Sequence, residues 1–174
     1  HIKDDFEAIK AGIADYLDRS DVLLLSGGIS VGDYDFVKQA LEENGVTELF
    51  YKVFQKPGKP LFFGRKKNTF VFALPGNPAS SLTCFYIHVL ALLQKLSGAN
   101  QTGLQRVLIP IGHDFKNTSE RPVFLKAKIE GQSVSILNRQ SSSMIHSMAM
   151  GNALVFLNEH QMVSEGDMVK SILI

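Results

Sequence analysis

Ser26-Gly27-Gly28-Ile29-Ser30-Val31-Gly32-Asp33-Tyr34-Asp35 follows the apolar run Asp21-Val22-Leu23-Leu24-Leu25 and leads into Phe36-Val37-x-x-Ala40-Leu41. The first run has the length of a buried strand. The last has the apolar spacing of one helix face. The order is therefore strand, glycine-rich loop, helix, which sets the class as α/β. Gly27, Gly28 and Gly32 permit positive φ and close approach of a ligand to the backbone. Ser26, Ser30, Asp33 and Asp35 put polar groups at the carboxyl end of the strand, the edge at which open α/β sheets bind ligands. An ordinary strand-to-helix turn has the same pattern, so on this stretch alone both readings stand.

Upstream, Asp4 and Glu7 have capping-box spacing. Phe6, Ile9, Ile13 and Leu17 form the stripe of a helix ending near Ser20. Downstream, the helix after the loop runs from Tyr34 to Asn44, with Gly45 as its C′ residue. Glu48-Leu49-Phe50-Tyr51-Lys52-Val53-Phe54 reads as a strand. It enters Lys56-Pro57-Gly58-Lys59-Pro60, a stiff turn whose Pro-Gly pair suits type II geometry. Arg65-Lys66-Lys67-Asn68 is a hairpin tip between Leu61-Phe62-Phe63 and a buried strand from Thr69 to Leu74. In Pro75-Gly76-Asn77-Pro78, Asn77 is placed to cap a helix and Pro78 to occupy its first position. That helix is expected to reach Leu96 and stop at Gly98. Its Leu82 to Leu96 part carries His88, Gln94 and Lys95, and reads as too short and too polar for a membrane span.

After about Asn100 the texture changes. Five short apolar segments, around 107–111, 123–129, 134–137, 153–157 and 168–174, are separated by turn residues such as Glu130-Gly131-Gln132. In the second, Val123, Leu125, Ala127 and Ile129 alternate with Phe124, Lys126, Lys128 and Glu130, a half-buried strand pattern. The expected organisation is an α/β domain over residues 1–100 with a mostly parallel sheet. A small all-β sandwich or barrel of five or six strands follows over 101–174.

The 174 residues are 45% hydrophobic and 20% charged, which gives a soluble globular chain with a sizeable core. A net charge of +1 supplies no global field for nucleic acid or a membrane surface, so any anion site must be local. The single Cys84 excludes an internal disulfide framework and a cysteine-only metal cluster, and it fits a reducing, cytoplasmic setting. The charged start His1-Ile2-Lys3-Asp4-Asp5 does not read as a signal peptide.

The chemistry-bearing candidates follow. The helix start at Asn77-Pro78 offers backbone N–H groups to an anion, with Gly76 keeping side chains away. Lys52, Lys56 and Lys59 cluster around the proline turn, either as a solvated face or as an oxyanion site. Lys52 and Lys56, four apart, share a side if the strand stays extended. Asp35 is either a first-turn helix residue or a carboxylate for Mg²⁺ beside a phosphate. His88 and Cys84 read as packed helix residues, Cys84 as an inert thiol. Jointly, the loops at 26–35, 56–60 and 75–78 are expected to converge on one sheet edge as a site for an anionic small molecule.

Ser-Gly-Gly-Ile-Ser-Val-Gly-x-x-Asp at 26–35, Lys-Pro-Gly-Lys-Pro at 56–60 and Leu-Pro-Gly-Asn-Pro at 74–78, in this order and spacing, resemble the molybdopterin molybdenumtransferases, the bacterial MoeA proteins and the gephyrin E domain. The resemblance extends through nearly the whole chain. It implies a three-layer molybdopterin-binding sandwich followed by the family's fourth, small β domain. The implied activity is insertion of molybdate into adenylylated molybdopterin with release of AMP, with Mg²⁺ as helper, in a homodimer of the whole protein. It also implies roles. Asp4 and Asp35 match acidic positions of the active cleft, Asp35 being the metal candidate, and Lys52 and Lys56 match its basic positions. Pro75 and Pro78 match the prolines of the cleft floor, and Ser142 falls near a serine of the β domain. Ser26, Gly27, Gly28, Ser30, Gly32, Gly76 and Asn77 are the expected contacts to the pterin substrate. The family's additional strand and Ser/Thr-Gly-Asp-Glu loop, and its first two domains, have no counterpart here, so the sequence reads as a C-terminal fragment. Two other activities are compatible with the motifs. One is a molybdopterin adenylyltransferase, which the β domain and the Lys-Pro-Gly-Lys-Pro stretch disfavour. The other is a non-catalytic scaffold of the gephyrin E type.

Overall fold

The computed structural model describes residues 1–29, 36–143 and 145–174. It divides into two compact units, His1–Val53 with Gly58–Asn77, and Phe54–Pro57 with Pro78–Ile174. The helix that begins at Pro78, grouped with the α/β half on sequence, clusters with the second unit.

The first unit contains α1 (Phe6–Leu17), β1 (Val22–Ser26), α2 (Phe36–Glu43), β2 (Thr47–Tyr51), β3 (Phe62–Lys66) and β4 (Thr69–Leu74). The expected stripe buries Ile9, Ile13 and Leu17 of α1, and Val37, Ala40 and Leu41 of α2 join them. Both helices form one core with Leu23, Phe62, Val71 and Ala73 from the sheet and with Val46 just before β2. Strand alternation sends the other side chains to the opposite face, where Phe63 packs 5.4 Å from Phe50 and 4.4 Å from Phe72 between ring centroids. Thr69 Oγ1 shares its proton between the Leu17 and Ser20 carbonyls, tying the end of α1 to the start of β4. Helix α2 ends as expected, with Gly45 at φ 75° and the Val46 N–H returned to the Leu41 carbonyl.

Two expectations are corrected here. The N-cap of α1 is Asp5, whose Oδ1 accepts from the Ala8 N–H at 2.9 Å, not Asp4. The sheet, in the order β1-β4-β3-β2, is mixed rather than mostly parallel. Only β1 and β4 pair parallel, while β3 is antiparallel to both β4 and β2. The cause is connection length: the tight hairpin between β3 and β4 and the loop 52–61 between β2 and β3 are both too short for a parallel crossover, and only the long excursion from β1 to β4 allows a parallel pair.

In the second unit the segment Phe54–Pro57 is followed by a 19-residue helix, Pro78–Leu96. It consists of α3 (Pro78–Cys84), a π-helical turn (Phe85–Val89) and α4 (Leu90–Leu96). By length and mean hydropathy the whole helix meets the requirement for a membrane span, unlike the shorter stretch weighed on sequence. Leu82, Tyr86 and Ile87 nevertheless pack with Met148, Leu154, Phe124 and Ile172 of the same unit. Then come β5 (Arg106–Pro110), β6 (Phe115–Lys116), β7 (Val123–Glu130), β8 (Ser133–Ile136), α5 (His146–Ala149), β9 (Ala153–Leu157), β10 (Met162–Val163) and β11 (Met168–Leu173). The main sheet is antiparallel in the order β5-β11-β9-β7-β8. An Ile111–Val134 bridge and the Gly112 N–H to Val134 carbonyl bond join its two ends into a barrel. Val123, Leu125, Ala127, Val134, Val155, Leu157 and Val169 belong to its core.

Candidate functional site

The register of β1 and β4 pairs Ser26 with Leu74, so the loops that follow them leave the same sheet edge. They meet there. The Gly27 N–H donates to the Leu74 carbonyl at 3.2 Å, and a Cβ on Gly76 would lie 3.5 Å from Gly27 Cα. Gly27 and Gly28 have φ of 89° and 65°, and a Cβ on Gly28 would meet Val37 Cγ2 at 2.6 Å. The sequence therefore needs glycine at position 28 for both conformation and space. Beside this turn lies a cavity of about 550 Å³, walled by Ile9, Ile13 and Val37 and carrying Ser26, Gly28 and Asp4 on its polar side. With Asp5 as the helix cap, Asp4 stands outside the cap and at this cavity. The structure thus brings together Asp4, Ser26, Gly27, Gly28 and Gly76. Pro75 is buried, and Gly76, Asn77 and Pro78 are exposed, with Pro78 opening α3 as expected. Ser30, Gly32, Asp33 and Asp35 lie outside the described residues.

Lys52 does not continue the strand. β2 ends at Tyr51, and Lys52 takes a φ of 66°, so the same-side argument for Lys52 and Lys56 fails. The exposed Lys52 ammonium lies 4.8 Å from the Tyr51 ring centroid, and that of Lys38 lies 4.7 Å from it. Tyr51 thereby holds two cations through its ring face. Lys56 belongs to the second unit. Its N–H donates to the Pro122 carbonyl at 2.9 Å and its carbonyl accepts from the Phe124 N–H at 2.8 Å, so its backbone is sewn to the start of β7. The side chain is exposed, as is that of Lys59. Gly58 has the positive φ, 89°, that the proline turn requires.

Ser142 comes to the start of α3, where its carbonyl accepts from the Ala79 N–H at 3.1 Å and satisfies one of the first-turn donors. The neighbouring Ser141 and Ser143 hydroxyls bond each other at 2.9 Å. This segment exposes a residue that sequence reasoning missed. Strand alternation puts Lys126 on the solvent side, but it is only 4% exposed, and its Nζ donates to the Ser141 carbonyl at 2.9 Å. Burial lowers its pKa. Gln140 causes the covering: its side-chain amide bonds both the N–H and the carbonyl of Lys126, acting as a further strand partner. A side-chain amide in that role leaves no periodic signal in the sequence.

Cys84 is buried and its thiol is pushed up to about 12 by desolvation, so it is inert as expected. Burial lowers the pKa of His88. Among the described residues no group of three or more His, Cys, Asp or Glu side chains is arranged to hold a metal.

Residues 1–95 match the family described as a probable molybdopterin binding domain, and residues 109–174 match the MoeA C-terminal region, domain IV. A gephyrin of Dictyostelium discoideum is 34% identical over 202 aligned residues, taking in 99% of this chain and 28% of that protein. A molybdopterin molybdenumtransferase of Haemophilus influenzae is 46% identical over 83 residues, 48% of this chain and 20% of that protein. Among solved structures, a molybdopterin biosynthesis MoeA protein of Pyrococcus horikoshii has a TM-score of 0.81 at 28% identity, over 99% of this chain and 42% of that one. The chain spans less than half the length of each of these relatives. With the two glycine loops at the edge of an α/β sheet and a barrel after them, it belongs to the MoeA and gephyrin family of molybdenum cofactor biosynthesis proteins.

Proposed function

We propose that the chain is the pterin-binding and C-terminal portion of a molybdopterin molybdenumtransferase, which inserts molybdate into adenylylated molybdopterin and releases AMP. The observation that carries this reading is the meeting of Gly27 and Gly76 at the carboxyl edge of the parallel pair β1 and β4, beside the cavity that holds Asp4 and Ser26. Glycines where the two loops meet let a flat heterocycle and its phosphate approach backbone N–H groups. In the first unit, Ser26, Gly27, Gly28, Ser30, Gly32, Pro75, Gly76 and Asn77 contact the pterin substrate, while Asp4 and Asp35 orient its reacting end. Lys52 attracts the oxyanion. In the second unit, Lys56 supplies a compact cation for molybdate or phosphate, with Pro78 and Ser142 at the start of α3. Mg²⁺ that bridges substrate phosphates needs only one or two protein carboxylates. Asp35 would hold it. When bound, the ion neutralises phosphate charge. A homodimer of the longer protein, a cytoplasmic setting and a domain boundary near residue 100 complete the reading.

The test is a fluorescence titration of the chain with molybdopterin, with and without molybdate. Saturable binding that molybdate modifies supports the reading. A folded chain that binds neither ligand overturns it, and pterin binding with no molybdate effect favours a binding module instead.

A further inference from the structure

Gln55 is 5% exposed and lies in the irregular segment just before Lys56. A buried carboxamide carries two N–H donors and a carbonyl that must all be satisfied. Here each finds a partner in the same unit. The Nε2 group donates to the Pro57 carbonyl at 3.0 Å and makes a weaker contact with Cys84 Sγ at 3.9 Å. The Oε1 atom lies 2.9 Å from His88 Nε2. The backbone carbonyl accepts from Arg121 Nη1 at 3.2 Å. Cys84 and His88 stand four apart across the π-helical turn, and both reach Gln55. Single-turn π segments of this kind recur at functional sites.

We propose that Gln55 and His88 form a positioning pair that fixes the Lys56–Pro57 turn, and with it the point from which the exposed Lys56 side chain leaves the backbone. This rests on the reading of Lys56 as an oxyanion-binding residue. The logic is directional. Oε1 only accepts, so His88 Nε2 must be the donor. A reversed amide would set Gln55 Oε1 against the Pro57 carbonyl oxygen and break the brace. His88 thus selects the amide orientation that lets Gln55 hold Pro57. Burial disfavours the imidazolium, so the neutral Nε2–H tautomer does this work. Together with the two backbone bonds from Lys56 to the Pro122 and Phe124 peptides, the turn is held from both sides. His88 and Gln55 touch no reacting atom; they act through Lys56.

Nitrogen-15 NMR of the whole chain gives the first test, and it needs no variant. The Nε2–H tautomer of His88 is expected; the Nδ1–H tautomer overturns the proposal. The second test is inorganic molybdate affinity by calorimetry. His88→Leu is expected to weaken it several-fold, and His88→Gln, whose amide can donate to Gln55 Oε1, to restore most of it. Equal affinities for native and His88→Leu, with Lys56→Ala clearly weakened, overturn the pair while leaving the role of Lys56 intact. If Lys56→Ala binds molybdate normally, the oxyanion reading falls, and the tautomer still decides whether the turn is braced.

Discussion

Ser171 is fully buried in β11, and its hydroxyl is the buried side-chain polar atom among the described residues with no hydrogen-bond partner. Its register partners are Val107 and Val155, so it replaces an apolar residue in the barrel wall. An unsatisfied buried hydroxyl loses its hydration without return, so Ser171→Ala is expected to stabilise the protein by about 1 kcal/mol. A lower urea midpoint in the variant would refute that. His88 gives a pH dependence. Burial holds its pKa below the ordinary 6.5, so on acidification the unfolded chain binds a proton before the folded chain does. Its contribution to stability is therefore lost as pH falls below about 6.5, down to the folded pKa. The stability advantage of the native protein over His88→Gln should shrink between neutral and mildly acidic urea titrations; an advantage independent of pH would contradict this. At this scale the sequence was legible where chemistry is local. Cys84 inside an apolar helix and Gly28 in a turn were readable, because neighbours in sequence decide them. Lys126 and the pairing of Gln55 with His88 were not, because partners 14 and more residues away decide them.

At the level of elements, the two glycine turns look alike in sequence and differ in the structure. Gly28 sits at φ 65° with Val37 Cγ2 in the space a Cβ would fill, whereas Gly76 has only an ordinary contact with Gly27. Gly28→Ala must therefore pay for both conformation and overlap, an expected cost of about 1–3 kcal/mol. Gly76→Ala should stay within about 0.5 kcal/mol. Comparable urea midpoints for the two variants would show that the β1 turn is looser than described. Periodicity found α1, α2, β1, β4 and the long strands of the barrel, because each has enough residues to show a period. It missed β6 and β10, which have two residues each, and the π-helical turn, whose register change conserves helical composition. The mixed sheet was partly legible. The basic tip Arg65-Lys66-Lys67-Asn68 marks an antiparallel hairpin, so one antiparallel pair could be read from the sequence, while the antiparallel pairing of β2 with β3 could not.

For the whole molecule, the question is whether these two units carry the family's chemistry when the rest of a transferase is supplied. The 83 residues that match the Haemophilus influenzae relative are 48% of this chain and 20% of that protein, and they are 46% identical, close enough to graft. Replacing the corresponding segment of that protein with this chain should preserve molybdate-dependent cofactor formation. Lys56→Ala in the graft should raise the molybdate concentration needed for half-maximal rate. It should leave the melting temperature nearly unchanged, since an exposed lysine adds little to folding. Asp35→Asn should instead lower the maximal rate more than it lowers pterin affinity, because a group acting on the reacting end is felt mainly in the transition state. The two variants separate capture of the oxyanion from its use. If both lower pterin affinity and rate in equal proportion, these residues serve only to hold the fold or the pterin. The assignment of Lys56 to the oxyanion and of Asp35 to the reacting end would then have to be withdrawn, although family membership would stand.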